Sequence, residues 1–547
     1  MRAVESGPWN EHYDAGVDLT LEVPDQSLGQ RLLATAERWP RRAAVWSPRG
    51  WLSYQQLLSE TQKFAAVLAG LGVRAGDRVL LMLPNSAQFV VAYYGVLWRG
   101  AIAVVARLDS EPEDLHRQLI DSAPSVAVMG RPLPEGLDQA IRRSGPDHLI
   151  LASGREYNRS LRRWFRRAVA TVLSRRRGRK VLRWGSLMRE ASDGFPFEPV
   201  PPEAPAAVLY TGGTTGPPRG VVLSHRSLMA NSMQLAAWDP KMGKRHERVL
   251  VALPLSHSYG LSAALGLSVE VGGTLILTQS QDPDVVLDLA SRFKPTLFPG
   301  IPALYAALLR RPNLRSYRLH SIRACISGAA PLPVELQEGF EKVTKGRLVE
   351  GYGLTEAGPV THANPIYGRR RAGSIGLPLP GTRAKVVSLD SGEEVGPGRV
   401  GELWVRGPQL MSGYWNDPTT TGEVLIDGWL RTGDLAQMDS DGYFFLINRL
   451  SEVIDLPDRR VFPRDVEEIL FEHPAVMDAA AAGSPSEDSR EVVAFAVLAP
   501  GRSVSEPELL AFCRRRLPDG MAPARVVFME RLPRSSFGKL LRRQLPV

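Results

Sequence analysis

The most informative part of this chain is the run Tyr210-Thr-Gly-Gly-Thr-Thr-Gly-Pro-Pro-Arg-Gly220, which holds three threonines and four glycines in eleven residues. Glycines let backbone amides approach an anion closely, and threonine hydroxyls add hydrogen-bond donors. The Arg219 guanidinium adds a forked positive charge that suits phosphate. Apolar segments at 206–210 and 220–223 flank the run and are typical of strands. We therefore predict a phosphate-binding turn between two strands, rather than a flexible Gly/Thr linker.

The texture of the chain predicts an α/β protein with more than one domain. Its 547 residues suffice for a sizeable core, and its Gly, Pro and apolar contents are those of an ordinary soluble enzyme. Apolar segments alternate with helical patterns up to about residue 350, which indicates mostly parallel sheets covered by helices on both faces. The clearest strand segments in this part are 78–83, 101–105, 249–253, 274–277 and 322–326.

Beyond about residue 360 the pattern changes twice. Short apolar segments such as 385–387 and 402–405 are separated by Gly and Pro, which predicts a β-barrel-like subdomain. The end of the chain then predicts a small α+β unit, with helices at 464–473 and 505–516 and strands at 492–498 and 525–528. We predict a large domain over residues 1–448 and a small one over 449–547.

The positive charge of the chain is concentrated in residues 155–183. This segment has twelve arginines and lysines and a single acidic residue, so its net charge exceeds the +9 of the whole chain. Apolar residues recur within it at helical spacing: Leu161, Phe165, Ala168, Val169, Val172 and Leu173. A basic amphipathic helix is typical of contact with an anionic membrane surface. A solvated arginine-rich insertion without a partner is an equally weighted alternative, and nucleic acid is a weaker one because no recognised nucleic-acid module surrounds the segment.

The sequence predicts a cytoplasmic protein, peripheral at the inner face of the membrane if the basic segment binds lipid. Residues 1–6 lack the apolar run of a signal peptide, and the longest apolar run, 89–98, is too short to span a bilayer. Cys325 and Cys513 lie far apart and form neither a disulfide framework nor a metal-binding pattern.

The glycine- and threonine-rich run resembles the phosphate loop of the adenylate-forming superfamily, which includes acyl-CoA synthetases, peptide-synthetase adenylation domains and firefly luciferase. It does not have the spacing of a Walker loop. Arg219 stands where this superfamily usually has lysine. The resemblance implies that the loop residues bind the phosphates of ATP and that Thr211 also faces a magnesium ion; the loop residues are Thr211, Gly212, Gly213, Thr214, Thr215, Gly216 and Arg219.

Two further motifs resemble the acyl-binding part of the same superfamily. In Pro254-Leu-Ser-His-Ser-Tyr-Gly260, His257 matches a gating residue beside the substrate carboxylate, and Gly260 would leave room for an acyl chain. Gly300, within Phe298-Pro-Gly-Ile-Pro302, is a third acyl-side candidate. A lone histidine at a strand end is otherwise more often structural.

Two more motifs resemble the adenine and α-phosphate side. Ser327-Gly-Ala-Ala-Pro-Leu332 matches the loop that lies along adenine, through Gly328, Ala329 and Ala330. In Gly351-Tyr-Gly-Leu-Thr-Glu356, the resemblance implies that Tyr352 and Gly353 contact adenine and Thr355 contacts the α-phosphate. Glu356 would hold the magnesium ion, because Mg²⁺ prefers one or two carboxylates together with phosphate oxygens.

The remaining matched residues lie towards the end of the chain. In Gly428-Trp-Leu-Arg-Thr-Gly-Asp-Leu435, Asp434 matches the carboxylate that accepts from the ribose hydroxyls, and Arg449 matches an arginine on the ribose and phosphate side. Lys539, in Pro533-Arg-Ser-Ser-Phe-Gly-Lys539, matches the lysine that stabilises the transition state between carboxylate and α-phosphate. The resemblance also places a hinge near 450–452.

Taken together, the motifs resemble bacterial long-chain fatty-acyl-CoA ligases most. The resemblance implies that ATP activates a fatty acid as acyl-AMP, with release of pyrophosphate, and that CoA then accepts the acyl group. Catalysis would rest on positioning and charge stabilisation by Lys539, Thr211, Arg219 and His257. The acyl chain length is left open.

The hinge segment departs from the superfamily pattern. Ser451 replaces a lysine, Glu452 replaces the hinge aspartate, and Asp458 replaces a glycine whose loop faces the thiol during thioester formation. Asp455 and Asp458 add two acidic side chains here, which would repel the phosphates of CoA. An acyl-AMP ligase that passes its product to an acyl carrier protein, and a catalytically slack nucleotide- and lipid-binding protein, therefore stay open as alternatives.

Overall fold

The computed structural model describes residues 7–47, 50–131, 136–154, 156–157, 173–176, 179–211, 218–457, 459–484, 491–534 and 540–547. The helices in these residues are α1 Leu28–Arg38, α2 Tyr54–Gly70, α3 Ala87–Trp98, α4 Pro112–Ser122, α5 Leu137–Ser144, α6 Trp184–Glu190, α7 His225–Trp238, α8 Ser258–Gly260, α9 Leu267–Val271, α10 Pro283–Phe293, α11 Pro302–Leu309, α12 Val334–Thr344, α13 Pro418–Val424, α14 Pro463–Phe471 and α15 Glu506–Arg514. A π-helix, Leu261–Gly266, joins α8 to α9.

The strands of the first half of the chain are β1 Ala43–Ser47, β2 Gly50–Ser53, β3 Arg78–Met82, β4 Ile102–Val105, β5 Val126–Gly130, β6 His148–Ala152, β7 Leu173–Arg176, β8 Arg179–Arg183, β9 Pro205–Thr211, β10 Arg219–Ser224, β11 Arg248–Val251 and β12 Thr274–Leu277. Those of the second half are β13 Ala324–Ser327, β14 Arg347–Gly353, β15 Val360–Ala363, β16 Leu377–Pro378, β17 Arg383–Val387, β18 Gly401–Arg406, β19 Gly413–Tyr414, β20 Leu425–Ile426, β21 Trp429–Met438, β22 Phe444–Arg449, β23 Ile454–Leu456, β24 Arg459–Val461, β25 Val476–Gly483, β26 Val492–Leu498 and β27 Arg525–Phe528.

The largest sheet has nine strands in the order β19-β10-β9-β4-β3-β5-β6-β8-β7. Its centre is parallel from β9 to β8, because helices carry the chain from one strand to the next. Its central strands are buried, as in a sheet that is covered on both faces, with Leu80, Val104 and Ala127 fully enclosed. At one end, the antiparallel pair β9 and β10 carries the flanks of the predicted phosphate-binding turn.

A second layer of strands runs from β2 through β1, β12 and β11 towards β13, β14, β15 and β16. Residue Leu297 joins the two halves of this layer through parallel bridges to Val249 and Ala324. The strand β12 has the predicted bounds, and β11 and β13 lie within two residues of theirs. These parallel-rich sheets with helices between them confirm the predicted α/β class.

The end of the chain forms the small α+β unit that the sequence predicts. In it, β25 pairs antiparallel with β26, and β26 pairs parallel with β27. The helices α14 and α15 contribute Val466, Leu470 and Leu509 to the core on one face of this sheet. The strands β26 and β27 have the predicted bounds, whereas both helices are shorter than predicted.

Contacts between Cα atoms divide the chain into two compact units. The first comprises 1–212, 217–383 and 405–430, and the second comprises 213–216, 384–404 and 431–547. The short strands predicted after residue 360 include β17, β18 and β21, which belong to a sheet with the order β17-β18-β21-β20 and with β22 paired to β21.

The predicted basic helix falls, apart from Leu173, outside the described residues. The end of the basic segment is described, and there the chain forms two antiparallel strands, β7 and β8, at an edge of the nine-stranded sheet. Leu173 therefore belongs to a strand and not to a helix. Among the described helices, none combines the length and the apolarity needed to cross a membrane.

Candidate active site

The two strands that flank the predicted phosphate-binding turn meet at their ends. The register pairs Thr211 with Arg219 and Tyr210 with Gly220, and the Thr211 hydroxyl donates to the Arg219 carbonyl at 3.4 Å. The ends of the predicted turn are therefore held together as a hairpin. Five candidate residues of the turn, Gly212, Gly213, Thr214, Thr215 and Gly216, lie outside the described residues.

Arg219 is half-exposed, and its side chain lies beside an acidic residue and an aromatic ring. Its Nε atom lies 3.7 Å from Oδ2 of Asp417, and its guanidinium lies 5.7 Å from the centre of the Tyr414 ring. The carboxylate of Asp417 also accepts from the Thr420 amide as the cap of α13, which lowers the pKa of Asp417, with a smaller contribution from Arg219.

Thr355 and Glu356 stand in a tight turn directly after β14. The Thr355 hydroxyl lies 3.3 Å from that of Ser258, at the start of α8. The Glu356 carboxylate accepts from the Tyr414 hydroxyl at 3.1 Å, and both residues are half-buried. The turn thus brings a hydroxyl pair and an oriented carboxylate together at the end of a strand.

The predicted adenine-side residues follow β13 and β14. Gly328 donates its amide to the Gly300 carbonyl at 3.1 Å, and a bridge joins Gly300 to Ser327. Ala329 has a positive φ of 71° and is exposed, whereas Gly328 is buried. The structure therefore brings the adenine-side candidates Gly328, Ala329 and Ala330 next to the acyl-side candidate Gly300.

Tyr352 and Gly353 end β14, opposite β15. The half-buried Tyr352 ring lies 6.0 Å from the His362 ring on the facing strand. Burial lowers the pKa of His362 to about 3, so this neighbour is uncharged at neutral pH. A side chain at Gly353 would place its Cβ 2.0 Å from the Pro359 carbonyl oxygen, so the close approach of the backbone requires glycine here.

His257 caps α8, because its Nδ1 atom accepts from the Tyr259 amide at 3.1 Å. The ring is half-buried, and the next residue, Ser258, contacts Thr355. A Cβ at Gly260 would lie 2.2 Å from the Pro254 carbonyl oxygen. The packing of the turn against itself therefore accounts for glycine at position 260, independently of any bound chain.

Asp434 and Arg449 lie side by side on paired strands of the second unit. The register of β21 and β22 places them opposite each other, and Arg449 Nε lies 3.5 Å from Asp434 Oδ1. The Asp434 side chain is 12% exposed and that of Arg449 is 32% exposed. The predicted ribose-side carboxylate is thus oriented by the predicted arginine.

Lys539 lies outside the described residues, but the chain on either side of it is well held. On the N-terminal side, Arg534 binds Asp478 at 2.7 Å and forms a bridge with Leu540. On the C-terminal side, Arg542 binds two carboxylates, those of Glu452 at 3.0 Å and Glu467 at 2.5 Å. The segment that carries Lys539 is therefore anchored within its own unit at both ends.

Several of these partners could not be found by sequence reasoning. Tyr414 and Asp417 fall in the run Gly413-Tyr-Trp-Asn-Asp417. The aromatic pair in this run is the one sequence feature that marks it, and it does not indicate a contact with Glu356 or Arg219. Arg542 gave no signal, since its partners stand 75 and 90 residues earlier in the chain. Asp455, which the sequence suggests as repulsive towards phosphate, pairs with Arg460 at 3.3 Å.

The described residues contain no group of three or more His, Cys, Asp or Glu side chains arranged for a metal ion. This does not conflict with a magnesium ion at Glu356. Mg²⁺ keeps several waters and takes most of its other ligands from the phosphates of a nucleotide, so a single oriented carboxylate fits its chemistry.

Comparison with known proteins identifies the family. The model of the AMP-binding enzyme family matches residues 32–415, and the model of the AMP-binding enzyme C-terminal domain matches residues 465–539. The chain belongs to the AMP-binding enzyme family. The two matched ranges include all the quoted motifs except the ribose-side one at 428–435 and Arg449.

Curated relatives resemble this family member over nearly its whole length. It is 39% identical to a long-chain-fatty-acid–CoA ligase of Bacillus subtilis (strain 168) over 550 residues, which cover 98% of this chain and 97% of the relative. It is 35% identical to the protein of the same name in Escherichia coli O157:H7, with the same coverage.

Solved structures share the fold. ATP-bound MatB from Rhodopseudomonas palustris matches with a TM-score of 0.82 and 27% identity, over 95% of this chain and 98% of that one. The O-succinylbenzoate coenzyme A synthetase of Bacillus subtilis in complex with AMP matches with a TM-score of 0.78 and 27% identity, over 96% and 99%.

Proposed function

We propose that this AMP-binding enzyme is an acid–thiol ligase that activates a long-chain fatty acid with ATP and transfers the acyl group to CoA. The observation that supports this most is the match along 98% of the chain to the long-chain-fatty-acid–CoA ligase of Bacillus subtilis. The same relatives supply the substrate class, since no feature of the described residues sets the acyl chain length.

The chemistry needs positioning more than proton transfer. A carboxylate oxygen of the acid attacks the α-phosphorus of ATP, and the bond to the bridging oxygen of pyrophosphate breaks. The thiol of CoA then attacks the acyl carbon, and AMP leaves. Because the acid is already ionised, the first step requires no general base, and the protein contributes by orienting groups and stabilising charge.

We assign the residues to these steps as follows. Arg219, Thr211 and the turn residues bind the phosphates, and Thr355 contacts the α-phosphate. Tyr352, Gly353 and the 328–330 loop contact adenine, while Asp434 and Arg449 bind the ribose side.

Lys539 stabilises the charge that develops between carboxylate and α-phosphate. His257, Gly260 and Gly300 face the acyl group. We also propose that the small domain begins at residue 449, as the sequence predicts.

Magnesium fits this site through Glu356, with Thr211 as a second candidate ligand. When bound with ATP, the ion neutralises charge on the phosphates. The contribution of the chain is the prior orientation of the Glu356 carboxylate by Tyr414.

The test is product identification with purified protein. Incubation with ATP, Mg²⁺, CoA and fatty acids of increasing chain length should give AMP, pyrophosphate and acyl-CoA, with a preference for long chains. Release of acyl-AMP without any thioester, at every chain length, would contradict the CoA-ligase assignment while supporting adenylation. A chain that consumes no ATP with any acid would contradict both.

A second candidate function is transfer of the acyl group to a carrier protein. Ser451 and Asp458 in the hinge segment favour it, because both depart from the pattern of enzymes that use CoA. The ion pair between Asp455 and Arg460 weakens it, because one of the acids is neutralised. An Asp458→Gly variant separates the two: faster transfer to CoA would show that the side chain obstructs CoA, whereas unchanged transfer would remove this reason for a different acceptor.

We also propose peripheral contact with anionic membranes at the cytoplasmic face through the basic segment 155–183. Twelve cationic side chains within 29 residues would bind such lipid with strong salt dependence. Sedimentation with vesicles should show binding to phosphatidylglycerol and none to phosphatidylcholine. Equal binding to both, or to neither, would contradict the proposal.

A further inference from the structure

A five-residue segment, 413–417, contacts two candidate residues of the first unit, Glu356 and Arg219. Its first two residues form β19, which pairs antiparallel with β10 directly after the phosphate-binding turn. The Trp415 amide extends this pairing by donating to the Gly220 carbonyl at 2.7 Å. The segment is therefore fixed against the strand that carries Arg219.

The first contact orients the Glu356 side chain. The Glu356 carboxylate accepts from the Tyr414 hydroxyl at 3.1 Å, while Met411, just before the segment, donates its amide to the Glu356 carbonyl at 2.8 Å and holds the backbone. A glutamate has three side-chain torsions, so the bond from Tyr414 removes part of the freedom that the carboxylate would lose on binding a cation. A hydrogen bond to a charged group is also among the stronger ones.

The second contact holds Arg219. Asp417 is the last residue of the segment, and its Oδ2 atom lies 3.7 Å from Arg219 Nε, while the guanidinium faces the Tyr414 ring at 5.7 Å. Because the Thr420 amide binds the other oxygen of Asp417 at 3.0 Å, the carboxylate is itself fixed. One short segment thus orients both the Glu356 carboxylate and the Arg219 guanidinium.

The base of the turn is attached to the same segment. Tyr210 donates its hydroxyl to Asp121 in α4 at 2.6 Å, and Asn416 donates its amide to the same carboxylate at 3.2 Å. Trp415 donates its indole to the Asp121 carbonyl at 3.3 Å. The strand before the turn and the segment therefore share one anchor.

We propose that Tyr414 and Asp417 are positioning residues that set the Glu356 carboxylate and the Arg219 guanidinium at the spacing required by a magnesium-bound triphosphate. The inference rests on the proposed ATP-dependent function. It concerns the triphosphate with its cation, and not the adenosine part, which other loops contact.

The test uses the full-length Tyr414→Phe variant, which keeps the ring and the strand pairing and removes only the hydroxyl. The Mg²⁺ concentration that half-saturates ATP–pyrophosphate exchange should rise about tenfold or more, as expected for the loss of a hydrogen bond to a charged group. By calorimetry, ATP binding in the presence of Mg²⁺ should weaken, whereas AMP binding in EDTA should stay within about twofold. Asp417→Asn should raise the KM for ATP by about two- to fivefold, a modest effect because its pair with Arg219 is half-exposed.

The matched control is Tyr367→Phe, which removes a phenol hydroxyl that accepts from Arg323 outside this segment. It should leave the Mg²⁺ dependence unchanged. Unaltered Mg²⁺ dependence in Tyr414→Phe would overturn the inference, as would an equal loss of AMP and ATP binding, which indicates a merely structural role. If Tyr414→Phe does not fold, unchanged KM in Asp417→Asn overturns it instead. Failure of the proposed function is distinguishable, because then the unaltered protein would show neither exchange nor ATP binding.

Discussion

The candidate residues of the two units are held in different ways. In the first unit, Glu356, Thr355 and Arg219 are held by partners far away in the chain or in another strand, namely Tyr414, Ser258 and Asp417. In the second unit, Asp434 and Arg449 hold each other across paired strands. The candidates of the first unit thus depend on partners outside the predicted set, whereas the two ribose-side candidates of the second unit depend on each other.

The Lys539 segment of the second unit follows the first arrangement, because partners outside the predicted set hold the residues on either side of it. Its neighbours Arg534 and Arg542 bind acids of their own unit, Asp478 in one case and Glu452 with Glu467 in the other. Glu452 is also the residue that matches the hinge aspartate of the superfamily. The arginine at 542 therefore links the proposed hinge to the segment that carries the proposed catalytic lysine.

The largest effect should come from Lys539→Ala. If this lysine stabilises the transition state of adenylation, ATP–pyrophosphate exchange should fall by at least about 100-fold, because such groups contribute this much to the rate. AMP binding should persist, since the residues assigned to adenine and ribose are other ones, among them Tyr352 and Asp434. Lys342→Ala, an exposed lysine in α12, is the matched control. Exchange within a few-fold of the unaltered protein would contradict the assigned role.

The two anchors of the Lys539 segment should differ in their effect on stability. Arg542 and both its partners are each 15% exposed, so Arg542→Ala leaves two largely buried carboxylates without their cation and should destabilise the second unit by about 3 kcal/mol. Arg534 is 40% exposed, and Arg534→Ala should cost only about 0.5 kcal/mol. Denaturant titrations measure both values. Equal losses would contradict the ranking of the anchors by burial.

The stability of the first unit should depend on pH through a buried histidine. Burial lowers the pKa of His225 to about 4. In its buried position, the Nδ1 atom of His225 accepts from the Leu28 amide at 3.3 Å. The unfolded chain binds this proton near pH 6.5, so the first unit should lose stability as the pH falls from about 6.5 to 4, by up to about 3 kcal/mol from this residue. His225→Asn should remove this contribution in thermal melts, while the buried His362, whose pKa is also lowered, keeps its own. An unchanged slope would show that His225 does not titrate as its burial requires.

Much of the fold could be predicted because strands in a covered sheet are apolar runs. The segment 274–277 and the segment 525–528 are such runs, and both form strands with the predicted bounds. The π-helix after Gly260 and the short strand at Gly413–Tyr414 were not predicted, because each depends on tertiary packing and not on a local pattern.

The candidate residues could be predicted from their motifs, but their partners could not. The motif around Glu356 gave a role for its carboxylate, yet nothing local indicates that a tyrosine 58 residues later would orient it. The pair of Asp455 and Arg460 is local by contrast, since the two residues face each other across the paired strands β23 and β24, and it changed the expectation of two repulsive acids at the hinge. Ion pairs depend on which elements meet, and this is set by the whole fold.

The most direct measurement is isotope exchange between ATP and pyrophosphate in the absence of any thiol. With a long-chain fatty acid present, the purified protein should catalyse exchange, and without the acid it should not. Label passes from pyrophosphate to ATP only when acyl-AMP, once formed, reacts back with pyrophosphate. Exchange that does not depend on the acid, or no exchange with any acid, would contradict the central claim that this chain joins a fatty acid to the α-phosphate of ATP.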